Sequence, residues 1–275
     1  EIKLIFKNGK EVKSASEGEC MIVLDSTPFY GESGGQVGDK GKLSSKGLEI
    51  EVLDTQKIGN FHLHISKIKK GSIKLNDRVK AEINTERRRA IVSNHSATHL
   101  MHSALRNILG EHVQQKGSLV NEEKLRFDFS HKQKLSESEI VKIEQEVNQA
   151  ITSAEDTQII ETSIEESQKL GAIAFFGEKY GDQVRVLKIA GDYSTELCGG
   201  THVKNSSEIK SFKIISETSI SSGVRRIEAI SGDLAIKDKA DNKTDLLNTA
   251  ETFNVSVKDL PLSLIHISEP TRQPC

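Results

Sequence analysis

Thr85-Glu86-Arg87-Arg88-Arg89-Ala90-Ile91-Val92-Ser93-Asn94-His95-Ser96-Ala97-Thr98-His99-Leu100-Met101 is where the pattern of this chain changes. Before it, apolar and polar residues alternate as in strands; from here they recur at helical spacing. Ala90, Val92, Ala97, Met101, Leu105 and Ile108 supply apolar contacts, while His95, His99, His102 and Arg106 mark another face, where His102 reads as a surface residue in preference to a group that orients a ligand. Thr85 can cap this helix, and Gly110 can stop it after Leu109. His95 and His99 are four residues apart, so both imidazoles can converge on one ion. A second pair, in Cys198-Gly199-Gly200-Thr201-His202, supplies a thiolate and a third imidazole around a tight glycine turn. Each pair alone reads more often as a polar surface than as a metal site. Together His95, His99, Cys198 and His202 predict a zinc site of three histidines and one cysteine. Position 96 is Ser where the helical protease signature has a Glu base, which argues against zinc-dependent peptide hydrolysis.

Upstream, residues 1–83 read as short strands. Ile2-Lys3-Leu4-Ile5-Phe6 meets a turn at Asn8-Gly9, and Leu48-Glu49-Ile50-Glu51-Val52 and Phe61-His62-Leu63-His64-Ile65 alternate apolar with polar residues. Closely spaced turns predict a small β-barrel, with His62 and His64 on its solvent-facing side. The Gly34-Gly35 loop lacks the spacing and following helix of a phosphate-binding loop. Downstream, strands are expected around Ser118-Leu119-Val120 and 125–129. Ser136-Glu137-Ser138-Glu139 forms a capping box for a helix carrying Ile140, Ile143, Val147 and Ile151. Ser163 and Glu166 repeat the pattern before a shorter helix that stops near Gly171. Strand-like stretches at 184–189, 212–215 and 224–230 complete an α+β fold: a β-barrel over 1–83, then a two-layer α/β domain over 84–233. The chain turns helical and charged from Leu234. Residues 262–275 break that trend with Pro270 and Pro274 and are read as an extraneous tail, so Cys275 and His266 carry no functional weight.

With 275 residues, 35% of them hydrophobic, the chain can build two compact domains. The negative mean hydropathy and the lack of an apolar run near ~18 residues predict no membrane span. The sequence opens at Glu1 with neither Met nor leader, and reads as beginning inside a longer frame. Cys20, Cys198 and Cys275 cannot form a paired framework, so a reducing, cytoplasmic setting is expected. A net charge of −2 does not announce a nucleic-acid binder. Arg87-Arg88-Arg89 and Arg225-Arg226 are local basic clusters, readable as solvated faces or as RNA contacts.

Four stretches in order, Asn94-His95-Ser96-Ala97-Thr98-His99-Leu100, Gln115-Lys116-Gly117-Ser118-Leu119-Val120, Leu125-Arg126-Phe127-Asp128-Phe129 and Cys198-Gly199-Gly200-Thr201-His202, resemble the editing domain of the alanyl-tRNA synthetase family. Phe29-Tyr30-Gly31-Glu32-Ser33-Gly34-Gly35-Gln36-Val37-Gly38-Asp39 resembles the glycine-rich segment of the barrel that precedes it there. The likeness runs to about Gly232. The same metal pattern occurs in free-standing alanyl-tRNA editing proteins and in threonyl-tRNA synthetase, but the segment at 30–36 is more like the synthetase form. The resemblance implies a zinc-containing editing domain over 84–233 and the start of a helical connector over 234–261. It also implies a parent polypeptide that ligates alanine to tRNA using ATP, with the aminoacylation core outside this sequence.

A pocket that fits alanine admits glycine and rejects serine only weakly, roughly a hundredfold, so such an enzyme needs a second, hydrolytic sieve. The resemblance implies an aminoacyl-tRNA deacylase that binds the acceptor end of tRNA(Ala) mischarged with serine or glycine, with Zn2+ as cofactor. Four protein ligands leave no open tetrahedral position: one ligand moves, the ion becomes five-coordinate, or zinc organises the pocket, the last being favoured. Gln115 is then the catalytic candidate, an amide able to position water or the ester. Thr98 and Thr201 read either as contacts to a seryl hydroxyl or as local backbone partners. The alternative function is a zinc-stabilised tRNA-binding module without catalysis.

Overall fold

Alternation in the first third of the chain builds strands β1 (Ile2–Lys7), β2 (Lys10–Glu11), β3 (Ser14–Ala15), β4 (Gly18–Leu24), β5 (Gly41–Ser45), β6 (Leu48–Ile58), β7 (Phe61–Lys70), β8 (Ile73–Lys74) and β9 (Lys80–Ile83). The computed structural model describes residues 1–174, 181–252 and 256–257. Seven strands join in the antiparallel order β2-β1-β4-β7-β6-β5-β9, and β3 pairs with β8. Among the described residues this ladder does not return from β9 to β2, so the hydrogen bonding is that of an open sheet. Bulges between Ile2 and Leu4 and between Val52 and Asp54 bend it, over a core that includes Ile2, Ile5, Ile22, Leu43, Ile50 and Ile68.

Strand β7 reverses the expected facing. Its polar-looking side is the buried one: His64 and Ser66 are fully buried beside Ile68, whereas Phe61 on the opposite side is 59% exposed. Burial of His64 is sustained because both ring nitrogens have partners, Nδ1 with the Ile22 carbonyl at 2.9 Å and Nε2 with Thr27 Oγ1 at 2.8 Å. His62 is half-buried and lines a cleft.

Helix α1 (Thr85–Leu109) is capped one residue earlier than expected, by Asn84, whose Oδ1 accepts from the Arg87 N–H at 3.0 Å. Gly110, at φ 111°, ends it. The helix is buried all round from Ser93 to Leu105 and is central to the fold. His102, expected at the surface, is 1% exposed.

Around α1 stand β10 (Gln115–Val120), β11 (Leu125–Ser130), α2 (Glu137–Thr152), β12 (Gln158–Ser163), α3 (Ile164–Lys169), β13 (Gln183–Ile189), β14 (Ser194–Leu197), a 3-10 turn at Ser206–Ile209, β15 (Phe212–Ser221) and β16 (Val224–Ser231). They form a four-stranded sheet, β10-β11-β16-β15, and a three-stranded one, β12-β13-β14. One core joins Leu100, Met101 and Leu105 of α1 to Phe127 and Phe129 of β11, Ile143 and Val147 of α2 and Leu187 of β13. The Ser136–Glu139 capping box forms as read. A first compact unit covers Glu1–Gly232 and a second begins at Asp233, with helix α4 running over Gly232–Thr252. The tail at 262–275, with His266 and Cys275, lies outside the described residues. No described helix is long and apolar enough to cross a membrane.

Two basic clusters change their reading. Arg87 donates to Glu122 Oε1 at 2.8 Å and to the Gly38 carbonyl at 2.7 Å, and Arg88 forms a forked pair with Asp39 and reaches the Pro28 carbonyl. Arg225 pairs with Glu217 and Arg226 with Asp128. Arg87 and Arg88 thus fasten the first sheet to α1 and are not a ready RNA contact. Asp39 is 1% exposed, so Arg88→Met would strand a buried carboxylate and is expected to destabilise the chain by roughly 3 kcal/mol. A urea titration checks this; an unshifted midpoint with weakened tRNA binding would return Arg88 to the RNA surface.

Candidate metal centre

Helical spacing places His95 and His99 one turn apart on α1, their ring centroids 5.2 Å from each other. Strand β14 runs out into Cys198, and the following turn brings back His202. One ligand atom from each of the four residues lies within 4.8 Å of all the others. Cys198 Sγ is 3.2 Å from His202 Nε2 and 3.6 Å from His95 Nε2. Bond lengths typical of zinc put a tetrahedral sulfur–nitrogen edge at about 3.6 Å.

The turn owes its shape to Gly200, where a Cβ would sit 2.6 Å from His95 Nδ1. Arg185 of β13 holds it from outside, donating to the Cys198 and Gly200 carbonyls at 2.8 and 2.9 Å.

Each imidazole has an oxygen partner at Nδ1: Gln36 Oε1 for His95 at 2.7 Å, Glu196 Oε2 for His99 at 2.6 Å and Ser96 Oγ for His202 at 3.4 Å. That arrangement leaves the Nε2 side for the centre, the pattern by which oriented histidines hold a metal. The donor set and its supports therefore fit a metal ion. Glu196, 1% exposed, also takes His102 Nδ1 at 2.8 Å. Neither Gln36 nor Glu196 emerged from sequence reasoning as part of the site. Gln36 stood in a quoted motif without a role, and Glu196, two residues before Cys198, carried no spacing signal.

The electrostatics follow from burial opposed by neighbours. Burial resists ionisation of Cys198, but His95, His99 and His202 outweigh it and hold the thiol well below its ordinary range. Burial likewise opposes charge on Glu196, yet His102 and His99 bring it down to about 2. For His99 burial is overcome by Glu196 and then Cys198, which raise it to about 10. His202 is pushed down to about 3 by burial and then by His95. A metal binding here would displace protons, so its affinity must weaken on acidification.

Glu196→Ala would remove the acceptor of two buried N–H groups and is expected to destabilise the chain by roughly 3 kcal/mol, measured by urea unfolding. Glu196→Gln should recover part of that, since an amide oxygen can still accept from one of the two rings.

His95, His99 and Cys198 face a cleft of about 450 Å³ whose other walls include Tyr30 of the segment between β4 and β5, Lys57 and His62 of the first sheet, Gln115 and Ser118 of β10, and Arg185. Gln115 is half-buried and opposite Phe129 in the ladder, just before a bulge. Thr98 Oγ1 donates to the Asn94 carbonyl at 2.8 Å, the local backbone bond that was one of its two readings. Thr201 Oγ1 is engaged by Gln36, receiving its Nε2 at 2.8 Å.

Comparison with known proteins gives two family matches. Residues 1–87 match tRNA synthetases class II (A), and residues 184–228 match the threonyl and alanyl tRNA synthetase second additional domain. An alanine–tRNA ligase of Xanthomonas axonopodis pv. citri (strain 306) is 51% identical over 90% of this chain and 28% of its own length. Those of Halorhodospira halophila (strain DSM 244 / SL1) and Alkaliphilus oremlandii (strain OhILAs) are 47% and 46% identical, each over 98% of this chain and 31% of their own length. The chain thus spans between 28% and 31% of the length of these relatives.

Proposed function

Since this chain belongs to the alanyl-tRNA synthetase family, we propose that its cleft is a deacylase site that hydrolyses the ester joining serine or glycine to the 3′ end of tRNA(Ala). The observation that carries this reading is the cleft of about 450 Å³ opening onto His95, His99 and Cys198 with Gln115 on its wall. A concave site with a few convergent polar groups suits a small esterified amino acid and its terminal nucleoside. The preference for serine over alanine follows from the second-sieve logic, in which errors the synthetic pocket admits are removed by a separate site.

His95, His99, Cys198 and His202 would hold Zn2+. When bound, the ion supplies a fixed positive charge beside the ester and ties two distant segments together. Everything else falls to the chain's own side chains. The Gln115 amide accepts from the attacking water and donates to the ester oxygen, which orders the two without making the amide a base. Water adds to the carbonyl carbon, the ester bond to the ribose oxygen breaks, and that oxygen takes a proton. The products are the free amino acid and a tRNA with an unmodified 3′ end. Lys57 and Arg185, both lining the cleft, give it a positive character suited to the terminal phosphate. The remainder of the synthetase would share the polypeptide, supply ATP-dependent ligation of alanine and deliver the acceptor end.

A chelation test addresses the reading directly. Seryl-tRNA(Ala) should be hydrolysed by the zinc-loaded chain, more slowly after chelation, and again at the first rate when zinc is restored. Hydrolysis indifferent to chelation at fully depleted zinc would separate the deacylase from the metal.

A further inference from the structure

Gln36 lies 59 residues before His95 in the chain, yet its side chain is completely buried against the metal centre. The segment that carries it is strapped to β10. Val120 N–H donates to the Gly35 carbonyl at 2.7 Å, and Val37 N–H donates to the Val120 carbonyl at 3.1 Å. Gly35 takes φ +83°, and a Cβ there would lie 2.6 Å from the Ser118 carbonyl oxygen, so only glycine allows this approach. From that anchored backbone the Gln36 amide reaches α1 and the turn between Cys198 and His202 at once.

The identity of each amide atom is fixed by its partners. The Thr201 backbone N–H can only donate, and it lies 3.0 Å from Oε1, so that atom is the carbonyl oxygen. An amide oxygen can only accept. The His95 Nδ1 at 2.7 Å from the same oxygen must therefore carry a proton, so in the neutral ring the lone pair is on Nε2, the atom 3.6 Å from Cys198 Sγ. Gln36 Nε2 donates to Thr201 Oγ1 at 2.8 Å and locks the amide in this orientation.

The geometry points to Gln36 as a positioning residue of the metal centre, by which the first sheet sets the tautomer of His95 and pins the turn that carries Cys198 and His202. This rests on the reading of those residues as a metal site. It makes the N-terminal sheet a working part of that site: docking of the 34–37 segment on β10 and readiness of His95 to ligate are one event. Oriented histidines owe much of their affinity to such partners, and losing one typically weakens metal binding between ~10- and ~100-fold.

The test compares wild type, Gln36→Leu and Gln36→Glu, each checked by circular dichroism, in a zinc titration against a competing chelator. Gln36→Leu keeps the size and removes the acceptor, so it should bind zinc ~10- to 100-fold more weakly. Gln36→Glu keeps an acceptor for both Thr201 N–H and His95 Nδ1–H, and should restore binding to near the wild-type level. Nitrogen NMR of His95 in zinc-free wild type reads the tautomer without any variant, and should find the proton on Nδ1. Equal zinc affinity of wild type and a folded Gln36→Leu, or a neutral His95 protonated on Nε2 and not on Nδ1 in the wild type, would overturn the role of Gln36. A wild-type chain that binds no zinc would instead overturn the metal site itself and this inference with it.

Discussion

Replacing Cys198 with Ala is expected to lower zinc affinity more than ~100-fold. Structural zinc sites contribute roughly 10–16 kcal/mol, and an equal share for one of four donors is about 3 kcal/mol. The loss should exceed that share, because the imidazoles hold the Cys198 thiol well below its ordinary range and so keep it as the anionic donor of the set. Cys198 Sγ also lies within 3.6 Å of both His95 Nε2 and His202 Nε2, so its removal leaves a gap at the middle of the cluster. Elemental analysis and chelator competition measure the effect. Acidification should mimic it in the wild type, since protons compete for the imidazoles and the thiolate. Full zinc retention by a Cys198→Ala, His202→Ala double substitution would remove both residues from the site.

Gln115→Ala is expected to slow deacylation of seryl-tRNA(Ala) by ~10²-fold, about 2.7 kcal/mol of barrier, while zinc content stays intact. The two effects separate because the bonds that orient the histidine donors go to Gln36, Glu196 and Ser96, while Gln115 stands on the cleft wall. Single-turnover hydrolysis beside a zinc assay distinguishes them. Equal activity of the variant and the wild type would eliminate Gln115 from the chemistry.

Helix α1 and the helix at Ser136 were legible because their signals are local. A cap, a period and a glycine stop all fall within the segment they describe. The cluster of His95, His99, Cys198 and His202 was legible because each pair carries a spacing of four, and the fold brings one ligand atom from each of the four within 4.8 Å of the others.

 

His99 and Cys198 are far apart in the chain, and only the packing of β14 against α1 unites them. Glu196 and Gln36 were not legible for that same reason. Their partners lie 97 and 59 residues away, and nothing local marks a residue that supports a ligand. His64 and His102 were misjudged on polarity. A histidine in an alternating pattern reads as solvent-facing, but one with both nitrogens bonded, or sharing a buried carboxylate, is stable inside. Arg87 and Arg88 were misjudged on charge, because a basic run gives no hint that Asp39 and Glu122 will fold onto it.

The most direct measurement of the central claim is the ratio of hydrolysis rates for seryl-tRNA(Ala) and alanyl-tRNA(Ala), taken side by side with the zinc-loaded chain. The account predicts that the seryl ester is cleaved well above its spontaneous rate and that the correctly charged alanyl ester is largely spared. Seryl-tRNA(Ala) left at its spontaneous rate by a folded, zinc-loaded chain would contradict it and leave a tRNA-binding module.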